Sequence, residues 1–243
     1  MNAIEVKGLT KAFGDLVAVN DLHFSVGEGE FFALLGVNGA GKTTAIRLLT
    51  CLSRPDGGDA LLAGHSIRTE ERSVKTVTNV SPQETAVAGR LSVRENLMLM
   101  ARLYRADKQE AARRTDEVLE RLSLTEAADR RASVLSGGWQ RRLSIAMALI
   151  SEPKILFLDE PTLGLDVLAR RELWGVLRAL KGKVTVVLTT HYLEEAEALS
   201  DRIGIMSRGC LVACGTAEEL KKAAKTDNFE DAFVALASGE VIA

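Results

Sequence analysis

A glycine-rich loop between an apolar strand and a helix constrains the fold of this chain more than any other feature. Residues 36–43 have the sequence GVNGAGKT, which fits the phosphate-loop pattern G-x-x-x-x-G-K-[ST]. The strand-like run Phe31–Leu35 precedes this loop, and the helix-like run Thr44–Leu52 follows it. Glycines let backbone N–H groups turn inward, so the loop and the start of the helix form a cradle for anions. The loop therefore predicts binding of a nucleotide phosphate on an α/β scaffold.

Two side chains of this loop are predicted to act on the phosphate and its metal. Lys42 adds a full positive charge to the cradle, and Thr43 places a hydroxyl on Mg²⁺, which prefers oxygen ligands. The flanking strand and helix disfavour the alternative, a glycine turn that binds no phosphate. The loop residues predicted to contact the nucleotide are Gly36, Asn38, Gly39, Ala40, Gly41, Lys42, Thr43 and Thr44.

Two acidic residues follow a second apolar run further along the chain. The run Ile155–Leu158 is long enough for a buried strand, and Asp159 and Glu160 come at its carboxyl end, where ligands bind in open α/β sheets. A magnesium-linked carboxylate belongs at this place. Two adjacent acids are also common at the start of a helix, and these residues alone leave both interpretations open.

The next predicted strand ends close to a histidine. Val184–Leu188 is rich in β-branched residues, and Thr189, Thr190 and His191 follow it. An isolated histidine is more often packed or solvated than functional. His191 nevertheless lies just past a core strand, one strand after the acidic pair, and from there it can reach a terminal phosphate.

A second glycine turn lies between the phosphate loop and the acidic strand. The segment Leu135–Gly138 has the sequence LSGG and opens a helix. Its position implies a second phosphate-facing surface. One chain cannot readily bring this surface to the nucleotide that its own phosphate loop holds.

The phosphate loop, the LSGG turn, the acidic strand end and the histidine, in this order, resemble the ATP-binding cassette (ABC) family, and the resemblance covers nearly the whole chain. It implies an α/β P-loop NTPase fold of the ABC type, with a mostly parallel core sheet, an antiparallel β subdomain and a helical subdomain. It also implies that two cassettes face each other, so that Ser136, Gly137 and Gly138 of each cover the ATP held by the other. The expected partner is a second ABC ATPase subunit, with a homodimer favoured.

The resemblance assigns ATP hydrolysis with Mg²⁺ to the residues at these motifs. Asp159 takes the metal, usually through water, and Glu160 is the general base that polarises the attacking water. His191 is the γ-phosphate sensor. Gln83 matches the glutamine that touches magnesium and water, against the alternative of an ordinary loop amide. The implied catalytic residues are Lys42, Gln83, Glu160 and His191, and the implied metal ligands are Thr43, Gln83 and Asp159.

Adenine recognition rests on one aromatic residue. Phe13 matches the place where the family usually carries a tyrosine that stacks on the base, and stacking survives the loss of the hydroxyl. An isolated phenylalanine is otherwise most often a core residue. No N-K-x-D motif for guanine is present, which favours ATP. Asp166, in the loop that contacts the other cassette, completes the implied nucleotide-binding set.

Trp139 departs from the family pattern, which usually has a polar residue directly after the signature glycines. This ring either tunes dimer closure or packs on the helical subdomain, and packing is the favoured interpretation. The helix predicted next, Gln140–Ser151, would expose residues 140–142 and bury Leu143, Met147 and Ile150 at helical spacing.

The chain is predicted to be a single ABC ATPase domain over residues 1–243. Alternation of apolar and polar residues over positions 1–30 predicts an antiparallel β part beside the core. Residues 84–150 are predicted to form the helical subdomain. Residues 216–243 are predicted to supply a helical tail, and the remainder is the nucleotide-binding core.

Two helices are predicted within the helical subdomain. Ser92 to Glu95 forms a capping box that opens the helix Val93–Tyr104, and Asp107–Leu122 is a charged amphipathic helix. The first helix has more apolar surface than one core-facing stripe needs, and its methionines suit a groove for another helix. In transporters of the family this region receives a helix of the membrane subunit, so integral membrane permease subunits are expected partners. The alternative is a helix buried on two sides within its own subdomain.

Composition limits the function classes and the location. A formal charge of −2 gives no electrostatic reason to expect a nucleic acid partner. No stretch approaches the roughly 20 apolar residues that span a bilayer, and residues 1–5 lack signal-peptide features. A cytoplasmic protein, peripheral on the cytoplasmic face of the cell membrane, is therefore expected. Cys51, Cys210 and Cys214 suit neither a disulfide framework nor a zinc site and are expected to be small buried hydrophobes.

Export is the expected direction of transport. Residues 227–236 resemble the short tail of cassettes that serve ABC-2-type exporters, including drug, polysaccharide and sodium efflux systems. The leading prediction is an ATPase subunit that dimerises on ATP, hydrolyses it and drives a separate permease. The alternative is a soluble, non-transport ABC ATPase acting on a macromolecular partner. A catalytically idle cassette is opposed by the joint presence of Lys42, Asp159, Glu160 and His191.

Overall fold

The fold is built on a largely parallel sheet, three of whose strands were recognisable in the sequence as short apolar runs. A computed structural model describes residues 1–239, and residues 240–243 of the predicted tail lie outside the described residues. Within 1–239, six strands form this sheet in the order β10-β9-β3-β8-β7-β6. The strands are β3 (Phe31–Leu35), β6 (Thr78–Ser81), β7 (Ile155–Asp159), β8 (Thr185–Thr190), β9 (Arg202–Ser207) and β10 (Cys210–Gly215). Every pair is parallel except β9 with β10.

The central strands are buried on both faces, which explains their composition. All residues of β3, β7 and β8 are buried. A strand covered by structure on both sides has no polar face, so its residues form an apolar run rather than an alternating one. The predicted fold class is confirmed by this sheet together with the antiparallel one beside it.

An antiparallel sheet packs against one face of the core sheet. Its strand order is β2-β1-β4-β5. The strands are β1 (Asn2–Phe13), β2 (Leu16–Gly27), β4 (Gly57–Leu62) and β5 (His65–Ser66). The rings of Phe24 and Phe32 stack across the two sheets at 5.2 Å between centroids. The sheet thus extends beyond the predicted range 1–30, because β4 pairs with β1 along most of its length.

Three helices occupy most of the region between residues 84 and 150. They are α3 (Val93–Leu103), α4 (Lys108–Arg121) and α5 (Gly137–Leu149), and the remaining helices are α1 (Lys42–Leu49), α2 (Glu71–Val77), α6 (Val167–Arg178), α7 (Leu193–Leu199), α8 (Ala217–Ala223) and α9 (Phe229–Ser238). The capping box is confirmed, since Glu95 N donates to Ser92 Oγ at 3.1 Å and Ser92 N donates to Glu95 Oε2 at 2.7 Å. No helix within residues 1–239 combines the length and apolar content needed to cross a bilayer.

The expectation that Gln140–Arg142 face water was wrong. Helix α5 begins three residues earlier than predicted and is enclosed by α3, α4, α6 and the strands β6 and β7. Arg141 and Arg142 keep only 4% and 7% of their surface exposed. Their guanidinium groups are paired inside the protein, Arg141 with main-chain carbonyls and Arg142 with Glu172. Both arginines are buried because neighbouring elements pack around the helix. The periodicity of the helix sequence does not indicate this packing.

The expectation that the cysteines are buried was also wrong. Cys214 is exposed, and Cys51 and Cys210 are partly buried. Cys210 and Cys214 lie on β10, an edge strand that is covered on one side by β9. An edge position leaves their side chains within reach of solvent and of polar neighbours, and Arg202 Nη2 donates to the Cys214 sulfur at 3.2 Å.

Candidate active site

A cavity of about 660 Å³ opens where the carboxyl ends of the core strands meet. Its volume falls within the range of about 300–1,000 Å³ found for small-molecule sites. The lining residues are Phe13, Leu16, Val17, Ala18, Asn38, Gly39, Ala40, Gly41, Lys42, Thr43, Thr44, Gln83, Glu160, Leu163, His191 and Arg208. The cavity thus gathers most of the predicted site residues.

The phosphate loop closes tightly at two glycines. Gly41 has φ +102°, and a Cβ there would lie 2.3 Å from the Ala18 carbonyl oxygen. A Cβ on Gly36 would lie 2.4 Å from the carbonyl oxygen of Met206. Only glycine fits either position, because the loop passes directly over these main-chain atoms. Helix α1 starts at Lys42 with no acidic residue in its first turn, so its positive end remains available to an anion.

Asp159 is a buried carboxylate held by hydroxyl groups. Its Oδ1 accepts hydrogen bonds from Thr43 Oγ1 at 3.1 Å and from Thr189 Oγ1 at 2.6 Å. The site therefore offers a hydroxyl oxygen beside a carboxylate oxygen at the floor of the phosphate cradle. Such an oxygen donor set suits Mg²⁺, which takes few protein ligands and completes its shell with substrate phosphates and water.

Glu160 lies between two basic side chains. Its Oε1 is 3.3 Å from Lys42 Nζ, and its Oε2 is 2.8 Å from His191 Nδ1. Lys42 also donates to the carbonyl oxygens of Gly36 at 2.7 Å and Val37 at 3.3 Å. The carboxylate is nearly fully buried, and these two partners fix its direction. The predicted base, cation and sensor therefore form one connected group.

Thr189 was not predicted as a site residue. Its hydroxyl donates to Asp159 and accepts from the main-chain N–H of Glu160 at 3.0 Å. Parallel pairing places Asp159 and Thr189 in register on β7 and β8. A hydroxyl residue at the end of the neighbouring strand was the available signal, but the strand order needed to interpret it is not visible in the sequence.

The outer end of the cavity is apolar and carries one further cation. Phe13 is 54% exposed at the end of β1, so the alternative that it is a core residue was wrong. Arg208, in the turn between β9 and β10, was not predicted and lines the same cavity. The turn reaches the site because Gly209 N donates to Ala40 O at 3.1 Å. No sequence motif marks Arg208, since a tertiary contact alone brings it there.

Gln83 reaches the cavity from the loop that follows β6. Its side chain is exposed and lines the cavity. Its main chain is fixed from behind, because Arg141 Nη2 donates to the Gln83 carbonyl oxygen at 2.5 Å. Arg141 therefore fixes the backbone of Gln83, while the side chain of Gln83 remains exposed to the cavity.

The second glycine turn lies outside this cavity. Ser136 and Gly137 are exposed at the start of α5, and within the described residues no capping hydrogen bond reaches the Ser136 side chain. Gly138 lies against α6, where an added Cβ would come within 3.1 Å of Ala169 Cβ. Asp166 caps α6 and accepts from Ala169 N at 2.9 Å. The turn and Asp166 thus form a separate exposed surface.

Trp139 packs within its own subdomain. Its ring lies against the core of the helical region, and the Arg142 guanidinium carbon is 5.3 Å from the ring centroid. These contacts agree with the favoured packing interpretation. Trp139 therefore lies beside the turn Ser136–Gly138 and does not line the nucleotide cavity.

An apolar surface lies on α3 beside a second cleft. Leu99 is 45% exposed and Leu103 67%, so the alternative of a helix buried on two sides was wrong. A cleft of about 340 Å³ opens between the end of α1, strand β6 and Tyr104, the residue that follows Leu103 at the end of α3. Its lining includes Leu52 and Tyr104, both largely exposed. We call this region, Leu99 and Leu103 with the lining of the cleft, the α3 cleft.

Comparisons with known proteins agree with this geometry. The protein family described as "ABC transporter" matches residues 19–163. The chain is 44% identical over 222 residues to the doxorubicin resistance ATP-binding protein DrrA of Mycobacterium tuberculosis, which covers 90% of this chain and 67% of that one. It is 43% identical over 220 residues to the Nod factor export ATP-binding protein I of Bradyrhizobium diazoefficiens, covering 90% and 72%.

One solved structure shows a related cassette after hydrolysis. The ATP-binding cassette MJ0796, described as a dimer in a post-hydrolysis state bound to ADP and Pi, matches with a TM-score of 0.76 and 26% sequence identity. The match covers 88% of this chain and 98% of that one. The similarity therefore extends over most of this chain.

Proposed function

The chain belongs to the ABC transporter family as an ATP-binding and ATP-hydrolysing subunit, and we propose that it energises a separate permease of the ABC-2 exporter type through ATP-driven dimerisation. One observation carries this proposal. The cavity contains the phosphate loop, Glu160 and His191, whereas the turn Ser136–Gly138 faces outward on another surface. A second cassette would supply that turn to the cavity.

The phosphate loop and Lys42 hold the substrate's triphosphate in this proposal, and three further residues hold its metal ion. The backbone of the phosphate loop and Lys42 bind the β- and γ-phosphates, and the N-terminus of α1 adds its partial positive charge. Thr43, Asp159 and Gln83 would hold Mg²⁺. When bound, the ion neutralises charge on the β- and γ-phosphate oxygens during transfer.

Glu160 is the proposed general base for the attacking water. Its carboxylate has one oxygen beside Lys42 and the other beside His191 Nδ1, so its orientation is set before any proton moves. A carboxylate accepts hydrogen bonds and cannot donate them, so His191 carries its proton on Nδ1. A γ-phosphate oxygen also accepts hydrogen bonds, so a contact with it from Nε2 requires a proton on Nε2 as well, and only the imidazolium form donates from both nitrogens at once.

Adenine would stack on Phe13 at the outer end of the cavity. The ring is exposed there, and Lys11 Nζ lies 5.4 Å from its centroid on β1. An aromatic face adds roughly 0.5–1.5 kcal/mol beyond the area that it buries. Arg208 adds a cation at this end of the site.

The other cassette would close the site from outside. Ser136 begins α5 without a capping hydrogen bond among the described residues, so its hydroxyl and the adjacent N–H groups are free for a phosphate. Asp166 lies beside the same turn, at the start of α6. Two copies related by a two-fold axis would place each turn over the phosphate loop of the other, and a homodimer is the proposed arrangement.

The α3 cleft is the proposed permease contact. It exposes apolar side chains, and it lies beside β6, the strand that leads to Gln83. A helix of a membrane subunit would bury this surface and place its contact next to the nucleotide site. The chain would then lie on the cytoplasmic face of the cell membrane. Export is supported by the relatives, whose names describe drug resistance and Nod factor export. These relatives do not favour a non-transport ATPase.

Purification with the membrane partner tests this proposal. A tagged chain recovered from detergent-solubilised membranes should retain an integral membrane protein, identified by mass spectrometry. Leu103→Glu should abolish its retention, because it places a charge on the proposed contact. Val234→Glu is the matched control, since Val234 is likewise an exposed apolar residue on a helix but lies on the tail. Recovery of ribosomes or another soluble assembly in place of a membrane protein would reject the proposal.

A further inference from the structure

Arg141 joins the helix of the LSGG turn to the loop that carries Gln83. It lies on α5, four residues after Gly137. Its Nη1 donates to the carbonyl oxygen of Pro82 at 2.7 Å, and its Nη2 donates to that of Gln83 at 2.5 Å. Two parallel donors of one planar group fix both the position and the orientation of the peptide that they bind.

A second contact lies one helical turn further along α5. Ser144 Oγ is 3.0 Å from Ser81 Oγ, and both hydroxyls are buried. Residues three apart on a helix share a face, so Arg141 and Ser144 present the same side of α5. Together they bind three consecutive residues, 81–83. The end of β6 and the beginning of the loop are thus attached to α5 at three successive positions.

The burial of Arg141 identifies this contact as more than packing. Desolvation lowers the pKa of its guanidinium, while Asp159 and Glu195 act in the opposite direction. Arginine nevertheless remains charged, so the chain retains a cation in a place where burial disfavours one. Lysine would lack the second, rigidly spaced donor. The hydrogen bonds that offset the cost of burying this cation are made to the loop that carries Gln83.

We propose that Arg141 is a positioning residue that makes the Gln83 loop and the turn Ser136–Gly138 move as one body. The role of Gln83 at the nucleotide is taken from the proposed function, on which this inference rests. Gln83 reaches into the chain's own cavity, whereas the turn on the same rigid body covers the nucleotide of the other cassette. A shift of Gln83 at one site is therefore transmitted to the other site through Arg141.

A double-mutant cycle tests whether Arg141 acts through Gln83. Arg141→Met keeps the length of the side chain and removes both donors, and Arg141→Lys keeps the charge. Arg114→Met is the matched control, because Arg114 also contacts a main-chain carbonyl of this subdomain, that of Ile150, which is not part of the Gln83 loop. Removing such a supporting contact commonly costs about 10- to 100-fold in activity. Arg141→Met should lower kcat by about this factor and leave the Kd of the monomer for ATP within roughly twofold, since Lys42 and the phosphate loop are unchanged.

The combined variants then distinguish positioning from general destabilisation. Gln83→Ala with Arg141→Met should be no slower than the slower single variant, because both remove the same function. The kcat of Arg141→Lys should lie between that of the unmutated chain and that of Arg141→Met. Arg141→Lys replaces Arg141→Met in the cycle if Arg141→Met does not fold. Independent, multiplying effects of the two changes would overturn the inference. A loss in Arg114→Met equal to that in Arg141→Met, at matched thermal stability, would also overturn it.

Dimerisation provides the second measurement. In a Glu160→Gln background, Arg141→Met should raise the ATP concentration needed for half-maximal dimer formation by about tenfold or more, and Arg114→Met should not. Equal dimerisation of the Arg141→Met variant and its Glu160→Gln parent would contradict the proposed role of Arg141 and leave the proposed function unaffected. An unmutated chain that neither hydrolyses ATP nor dimerises would reject the proposed function instead.

Discussion

The imidazole Nδ1 of His191 lies 2.8 Å from Oε2 of Glu160, although 31 residues separate them along the chain. The two residues meet because each follows the end of a core strand, and those strands, β7 and β8, are neighbours. The arrangement sets the direction of the carboxylate and of the imidazole at once. Removal of either partner should therefore disturb the other.

Glu160→Gln should preserve ATP binding and stop turnover. The amide keeps the shape of the side chain but loses the basic oxygen, and general-base assistance is commonly worth roughly 10²–10⁴-fold in rate. Steady-state hydrolysis together with size measurement in Mg-ATP checks this, with a stable dimer expected. Glu197→Gln, a change of an exposed acid on α7, is the control. Near-normal hydrolysis by Glu160→Gln would contradict the assignment of the base.

Ser136→Arg should block dimer closure while nucleotide binding survives. Ser136 is exposed outside the cavity, so a bulky cation there does not touch the chain's own phosphate loop. Lys42→Ala should instead weaken nucleotide binding by removing a charge from that loop. Equilibrium binding of a fluorescent ATP analogue to each variant distinguishes the two effects.

Specific ATPase activity of the unmutated chain should rise with protein concentration as dimers form, in the absence of permease. The reason is that each complete site needs the turn Ser136–Gly138 of another copy. Mixtures of Ser136→Arg and Lys42→Ala can also form one undamaged site, and recovered activity would support sharing. Constant activity from a demonstrated monomer, unaffected by Ser136→Arg, would exclude a shared site.

Phe13→Leu should weaken ATP binding by roughly twofold to tenfold, which corresponds to a lost stacking contribution of about 0.5–1.5 kcal/mol. Phe13→Tyr should bind ATP as well as the unmutated chain, because the ring face is kept. Because the Phe13 side chain is exposed, neither substitution should lower the stability of the folded protein. Affinity measurements at constant Mg²⁺ test this, and equal affinity of the Leu and Tyr variants would exclude stacking.

Thr189→Val should lower hydrolysis by about 10- to 100-fold, the usual cost of losing a contact that orients a catalytic or metal-binding group. The hydroxyl holds the Asp159 carboxylate and the Glu160 N–H, and valine has nearly the same shape. Thr185→Val is the control, since Thr185 lies at the other end of β8 and accepts from Gly29 N. Parallel loss of activity in both variants would mean that strand stability, rather than orientation, is affected.

Glu195→Gln should stabilise the protein increasingly as pH rises. Burial raises the pKa of Glu195 above its usual 4.5, and Trp174 Nε1 donates to its Oε1 at 3.2 Å. An acid whose pKa is raised on folding holds its proton more tightly in the native protein. Its stabilising contribution is therefore complete below the unfolded pKa and is lost as pH rises through the folded pKa.

Denaturant unfolding at several pH values checks the Glu195 prediction. The free energy of unfolding of Glu195→Gln minus that of the unmutated chain should grow as the pH rises from about 4.5 toward the raised pKa of Glu195. Glu197→Gln, which changes an exposed acid on the same helix, should show no such trend. A constant difference for Glu195→Gln over this range would show that Glu195 is already charged in the folded protein.

The elements that bind phosphate were predictable because they are contiguous in the chain. Strand β3, the phosphate loop and α1 follow one another within residues 31–49, and the loop demands glycine where main-chain atoms approach too closely for a side chain. The carboxyl end of β7 was likewise predictable, since a short apolar run predicts a buried strand wherever it occurs. Local sequence was sufficient for both.

The tertiary structure alone decided which of these elements meet and which side chains they enclose. The register of β7 with β8 brings Thr189 to Asp159, and the contact of Gly209 with Ala40 brings Arg208 to the cavity. Helix α5 was predicted with an exposed polar face, yet neighbours on several sides bury Arg141 against the glutamine loop. Periodicity reports the apolar stripe of an isolated helix, whereas burial depends on every element packed around it. The sequence thus determined the phosphate-binding chemistry, and the packing determined how that chemistry is oriented and connected to the turn that faces another cassette.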